Sequence, residues 1–105
     1  MPPANDQEAT FGLIEAIILR LFRKSNVPVT HDAIAAAYLH DDVARPLLVR
    51  RQGSLPEPHT LEWLASNDVA WFSARISRRE WPIEGRFIRS RVNGKWAYAP
   101  AHSAT

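Results

Sequence analysis

The 105-residue sequence predicts a mostly α fold, a helical bundle closed by a C-terminal two-stranded β-hairpin. Three observations predict it. Apolar residues recur at helical spacing through most of the chain, as in Phe11, Ile14, Ile18 and Leu21. From Arg86 onward the spacing changes to a crude alternation, broken at Asn93-Gly94, the dipeptide of a type I′ turn. Charge is also uneven: residues 68–105 hold seven Lys/Arg against three Asp/Glu, whereas residues 1–67 hold six against eight. A basic helix followed at once by a basic hairpin is the layout of a winged helix-turn-helix DNA reader.

The length suits one domain with a modest core. Residues 6–58 read as its N-terminal helical part and 59–99 as the helix-turn-helix plus wing. Residues 1–5 and 100–105 read as disordered tails. The first helix is expected over 6–24, with Asn5 and Glu8 in capping-box spacing. Leu13, Ile17 and Phe22 widen its apolar stripe, which serves either as the central core helix or, in part, as a homodimer interface. Asn26 can take the left-handed position after the helix, and Pro28 blocks continuation.

Thr30 caps a second helix that packs through Ala33, Ile34, Ala37 and Tyr38. Asp42 is the expected cap of a third, from Val43 to about Arg51, where Pro46 sits near the first turn. The segment Gly53–Pro58 is a proline-rich turn. Thr60 then caps a short helix, Leu61–Ala65, whose Trp63 is placed to cover the hairpin. Ser66 or Asn67 caps the next helix, Asp68–Arg79, and Pro82 ends it. Val69, Phe72 and Ile76 mark its core face, while Trp71, Arg75 and Arg78 fall on another.

Two helix-turn-helix units follow from these elements. One pairs Thr30–Leu39 with Val43–Arg51 and carries Arg45, Arg50 and Arg51. The other pairs Thr60–Ala65 with Asp68–Arg79 and is favoured, because its second helix is longer and only it adjoins a basic hairpin.

Thr60-Leu-Glu-Trp-Leu, Ala74-Arg-Ile-Ser, Trp81-Pro-Ile-Glu and the closing Ala97-Tyr98 resemble a small helix-turn-helix family of bacteriophage and prophage proteins. The resemblance covers about residues 60–98. This chain has Glu80 where that family commonly has Gly before the aromatic-Pro-Ile turn. The resemblance implies DNA binding in a viral or prophage setting.

The residues expected to meet duplex DNA are Trp71, Ser73, Arg75, Ser77, Arg78 and Arg79 on the helix, with Arg86, Arg89, Arg91 and Lys95 on the wing. Arginines on a helix in the major groove reach guanine edges or phosphates, and wing cations fix register on the backbone. Trp81 and Trp96 are expected to pack the wing rather than stack on bases.

Other chemistry finds little support. Without cysteine there is no disulfide framework, thiolate metal site or thiol nucleophile. His31, His40, His59 and His102 show no ligand spacing, and no glycine-rich phosphate loop exists. No enzyme activity, metal or cofactor is expected. The apolar run Leu13–Phe22 is too short to span a bilayer, and a cytoplasmic location is expected. The functional expectation is a transcription regulator or phage genome-handling factor. The alternative is a protein-interaction module, an inhibitor or adaptor on the same fold, and RNA binding is a third reading.

Overall fold

A computed structural model describes residues 3–78 and 87–101, with side chains over 9–74 and 87–101. The described residues form four helices and three strands: α1 (Pro3–Ser25), β1 (Val29–Thr30), α2 (His31–Leu39), α3 (Ala44–Ser54), α4 (Leu61–Arg78), β2 (Phe87–Val92) and β3 (Lys95–Pro100).

Helix α1 begins at Pro3, so residues 3–5, expected in a disordered lead-in, are helical and Asn5 lies inside rather than before the helix. A proline in the first turn loses no helical hydrogen bond. At the far end Asn26 is left-handed, with φ 59°. Its N–H donates to the Phe22 carbonyl at 2.7 Å. Thr30 caps α2 as its sequence suggests, its Oγ1 accepting from the Ala33 N–H at 3.3 Å. Helix α3 is capped from one residue earlier than expected: Asp41 Oδ2, not Asp42, accepts from the N–H groups of Val43 and Ala44, each at 2.9 Å.

The largest departure lies in α4. The expected helix–turn–helix at 60–79 is a single continuous helix, Leu61–Arg78. Thr60 Oγ1 does accept from the Trp63 N–H at 3.0 Å, but Ser66 and Asn67 cap nothing. Asp68, expected at a helix start, is a buried residue in mid-helix. The reason is tertiary: its carboxylate is needed there by Arg51 and Tyr38, so helix propagation outweighs the local preference of Ser, Asn and Asp for caps.

The hairpin agrees with its pattern. Asn93 and Gly94 both have positive φ, 53° and 79°, as a type I′ turn requires. Val92 faces Lys95 across the turn. The sheet has a third member absent from the sequence-based reading. Val29 pairs with Tyr98 and Thr30 with Ala97, which gives an antiparallel sheet in the order β1-β3-β2.

One contiguous core draws on every helix and strand. Phe72 of α4 is its hub, in edge-to-face contact with Phe11 of α1, Phe87 of β2 and Tyr98 of β3 at centroid distances of 5.9, 5.7 and 6.2 Å. Such pairs add to simple burial. Helix α1 commits Phe11, Ile14, Ile17 and Ile18 fully to this core and leaves Leu13, Leu19, Leu21 and Phe22 half-buried. The core therefore fixes one end of α4 against the sheet and its other end against α3.

Candidate functional site

The hairpin is fastened beside α4 by a specific contact. Arg89 donates through Nη1 to Ser73 Oγ at 2.8 Å and to the Ser73 carbonyl at 3.3 Å. Ser73, expected on the exposed face, is therefore buried under the hairpin and unavailable to DNA. Arg89 is equally committed, because its guanidinium also lies 3.8 Å from the Trp96 ring centroid. Trp96 packs on the core, as expected, and its outer side carries Arg91 at 4.4 Å.

Among the described residues two wing cations remain exposed. Arg91 donates to the Gly94 carbonyl at 3.2 Å, a contact within the turn. Lys95 Nζ meets Asp32 Oδ2 of α2 at 2.7 Å. That bond and charge raise the Lys95 pKa and lower that of Asp32. Both partners are largely in solvent, so the pair is screened and easily exchanged for a phosphate.

Arg75, Ser77 and Arg78 occupy the last turns of α4, and their side chains lie outside the described ones. Arg79, Arg86 and Trp81 lie outside the described residues, as does Pro82. Trp71 is more than half exposed. Trp63 stacks on His59 instead of covering the hairpin, with ring centroids 3.9 Å apart and planes at 10°.

On the opposite side of α4 the helices part to form a cleft of about 820 Å³. Phe11 of α1, Leu47 and Leu55 at α3, and Trp63, Leu64 and Trp71 of α4 supply its apolar wall. Ser54, Leu55 and His59 line one side of it. The turn expected over Gly53–Pro58 starts only at Leu55, because α3 continues through Ser54. Gln52 Nε2 spans that turn by donating to the His59 carbonyl at 2.7 Å. Asp68 and Arg51 are part of the lining as a neutralised pair, and Tyr38 donates to Asp68 Oδ2 at 2.7 Å from behind. Burial, then the Asp68 charge, pushes the Tyr38 pKa up; the Asp68 hydrogen bond raises that of Arg51. No residue of this cleft except Trp71 belonged to the expected DNA surface, because a cleft between α1, α3 and α4 has no local sequence signal.

The other helix pair, α2 and α3, keeps the short turn expected of it. Of its cations, Arg51 is bound to Asp68, Arg45 donates to the Leu39 carbonyl at 3.3 Å, and Arg50 is exposed. His40, Asp41 and Asp42 form that turn, with Asp41 spent on the α3 cap. Among the described residues no group of three or more His, Asp or Glu side chains gathers as a metal site. No helix among them is long and apolar enough to cross a membrane.

No protein-family model, curated protein or solved structure matches the chain. The resemblance to phage helix-turn-helix proteins rests on the short motifs quoted above.

Proposed function

We propose that the chain binds duplex DNA through the C-terminal half of α4 and the β2–β3 hairpin, as a winged helix-turn-helix protein acting in transcription regulation or phage genome handling. The observation that carries this reading is the Arg89–Ser73 contact. It fastens β2, one strand of the hairpin that bears Arg91 and Lys95, to α4 at Ser73, two residues before Arg75. In this reading α2, packed across α4, replaces the expected short helix 61–65 as the support of the recognition helix. Strand order β1-β3-β2 puts β2 at one edge of the sheet, and in this reading the β2–β3 hairpin serves as the wing. Arg75 and Arg78 enter the major groove; Arg91 and Lys95 meet phosphates. Pairing of two chains through the half-buried residues of α1 belongs to the same proposal.

The test is fluorescence anisotropy with a labelled random-sequence duplex at several salt concentrations. Each phosphate contact contributes a slope of about −0.9 in a log–log plot. Arg75→Ala with Arg78→Ala should abolish retention without loss of helicity. No binding at low salt would overturn the proposal.

A second reading, an inhibitor or adaptor that docks on a protein, is favoured by β2. Its outer edge is unpaired among the described strands, and Ile88 and Val92 on it are exposed. Exposed edges of this kind accept an added strand.

A further inference from the structure

We propose that the cleft between α1, α3 and α4 is a binding site for an aromatic monocarboxylate with an elongated, flat apolar body. This goes beyond DNA binding and does not depend on it.

The argument starts from the spacing on α4. Trp63, Asn67 and Trp71 stand at i, i+4 and i+8, so they form one stripe along the helix. At about 1.5 Å per residue the two indoles are roughly 12 Å apart along the axis. Both line the cleft, and both are close to half exposed, at 47% and 54%. Two large aromatic side chains left this open along one wall of a concavity are a costly use of apolar area unless something covers them. His59, stacked on Trp63, holds the first indole in place, so the wall is preorganised rather than adaptable.

The polar groups define the ligand's charge. Across from the stripe Arg50 lines the same cleft from α3, and among the described residues it has no ion pair or hydrogen bond. Its neighbour Arg51 is neutralised by Asp68. The cleft therefore offers one unspent positive charge. The Asn67 amide, also unpartnered among the described residues, sits midway between the indoles and supplies a hydrogen bond to the same ligand. An uncharged ligand would leave Arg50 unused, and a cation would be repelled by it. A flat ring system satisfies the two half-exposed indoles, and a carboxylate satisfies the fork of Arg50. The volume of about 820 Å³ falls in the range of small-molecule sites. A carboxylate carried by an acidic, aromatic peptide would use the same groups, but the roughly 12 Å between the two indoles suits a compact body of two or three rings.

The test uses the full chain with biphenyl-4-carboxylate and its neutral match, biphenyl-4-methanol, followed by the indole N–H signals of Trp63 and Trp71 in two-dimensional NMR. The carboxylate should bind with saturation and shift both signals, about tenfold tighter than the alcohol, the size of one charge-assisted contact. Arg50→Gln should remove that preference and leave alcohol binding unchanged. Trp71→Ala should weaken both ligands. Arg50 and Trp71 are exposed, so circular dichroism should report an unchanged fold. Equal affinity for the two ligands, or a preference that survives Arg50→Gln, would overturn the assignment. So would absence of binding by either ligand, including the case in which an acidic aromatic peptide binds and neither small molecule does.

Discussion

Arg51 grips Asp68 with both ends of its guanidinium, Nη2 to Oδ1 at 2.8 Å and Nη1 to Oδ2 at 2.9 Å, and so ties α3 to the middle of α4. The two partners are unequal. Asp68 is almost wholly buried, whereas the Arg51 side chain is 41% exposed. Removing the arginine strands a buried carboxylate with only the Tyr38 hydroxyl for company. Removing the negative charge frees an arginine that can turn to water. Arg51→Met should therefore destabilise the fold by about 3 kcal/mol. Asp68→Asn, which keeps an acceptor for Tyr38, should cost only about 1 kcal/mol. Urea unfolding of the two variants checks the order; equal losses would mean that the pair is not anchored from the aspartate side.

His31 gives stability a pH dependence. Its Nε2 lies 3.0 Å from Ser66 Oγ, at the join of α2 and α4. Burial lowers its pKa, and the neighbouring Asp32 charge only partly opposes this. Between that lowered value and the ordinary one near 6.5, the unfolded chain holds the proton and the folded chain does not. Stability is therefore complete above the ordinary value and declines as the pH falls through it. The His31 ring protons should titrate below those of a free imidazole. His31→Gln should flatten the decline in thermal midpoint between pH 7 and pH 5, and an unaltered slope would place its origin elsewhere.

Gly94 isolates the backbone contribution to the wing. At φ +79° any L-residue is strained, yet a Cβ added there would meet nothing within 4 Å. Gly94→Ala should cost about 1 kcal/mol through conformation alone. Because the turn sets the position of Arg91 and Lys95, the same variant should weaken duplex binding if the proposed interface is right. Stability by calorimetry and affinity by anisotropy separate the two effects.

What the sequence made legible was local. Thr30 and Thr60 announce their helices because the capping hydrogen bond reaches only three residues along the chain. Asn93-Gly94 announces the hairpin because two consecutive positive φ angles exclude most other residues. The contacts that escaped reading span long separations. Strand β1 is two residues long and exists only because Tyr98 and Ala97 pair with it from the far end of the chain. Ser73 stands four residues after Val69 and three before Ile76, so the helical period already puts it beside the core face and argues against its expected exposure. Only the fold shows that Arg89 is what covers it. The cleft is the extreme case, since its walls come from three helices and its ligand groups read in sequence as something else, Arg50 as a basic group of the α2–α3 pair and Asn67 as a helix cap.

The continuity of α4 is the point at which local and tertiary preferences collide. Ser66-Asn67-Asp68 reads as a helix start, and a start with Ser66 as cap would put Asn67 at the first helical position, the site proline favours. In the continuous helix the Asn67 N–H is instead an interior donor, and a proline ring would strike the preceding turn. Asn67→Pro thus separates the two structures sharply. A helix break predicts little change, while the continuous α4 predicts a loss of about 3 kcal/mol or more, with Asn67→Ala as the near-neutral control. Chemical denaturation with far-ultraviolet circular dichroism measures both. The outcome also bears on the proposed DNA recognition. A long rigid α4 couples the cleft at Trp63 to the arginines near its C-terminus through a single element, whereas a broken one would leave the two ends free to move apart.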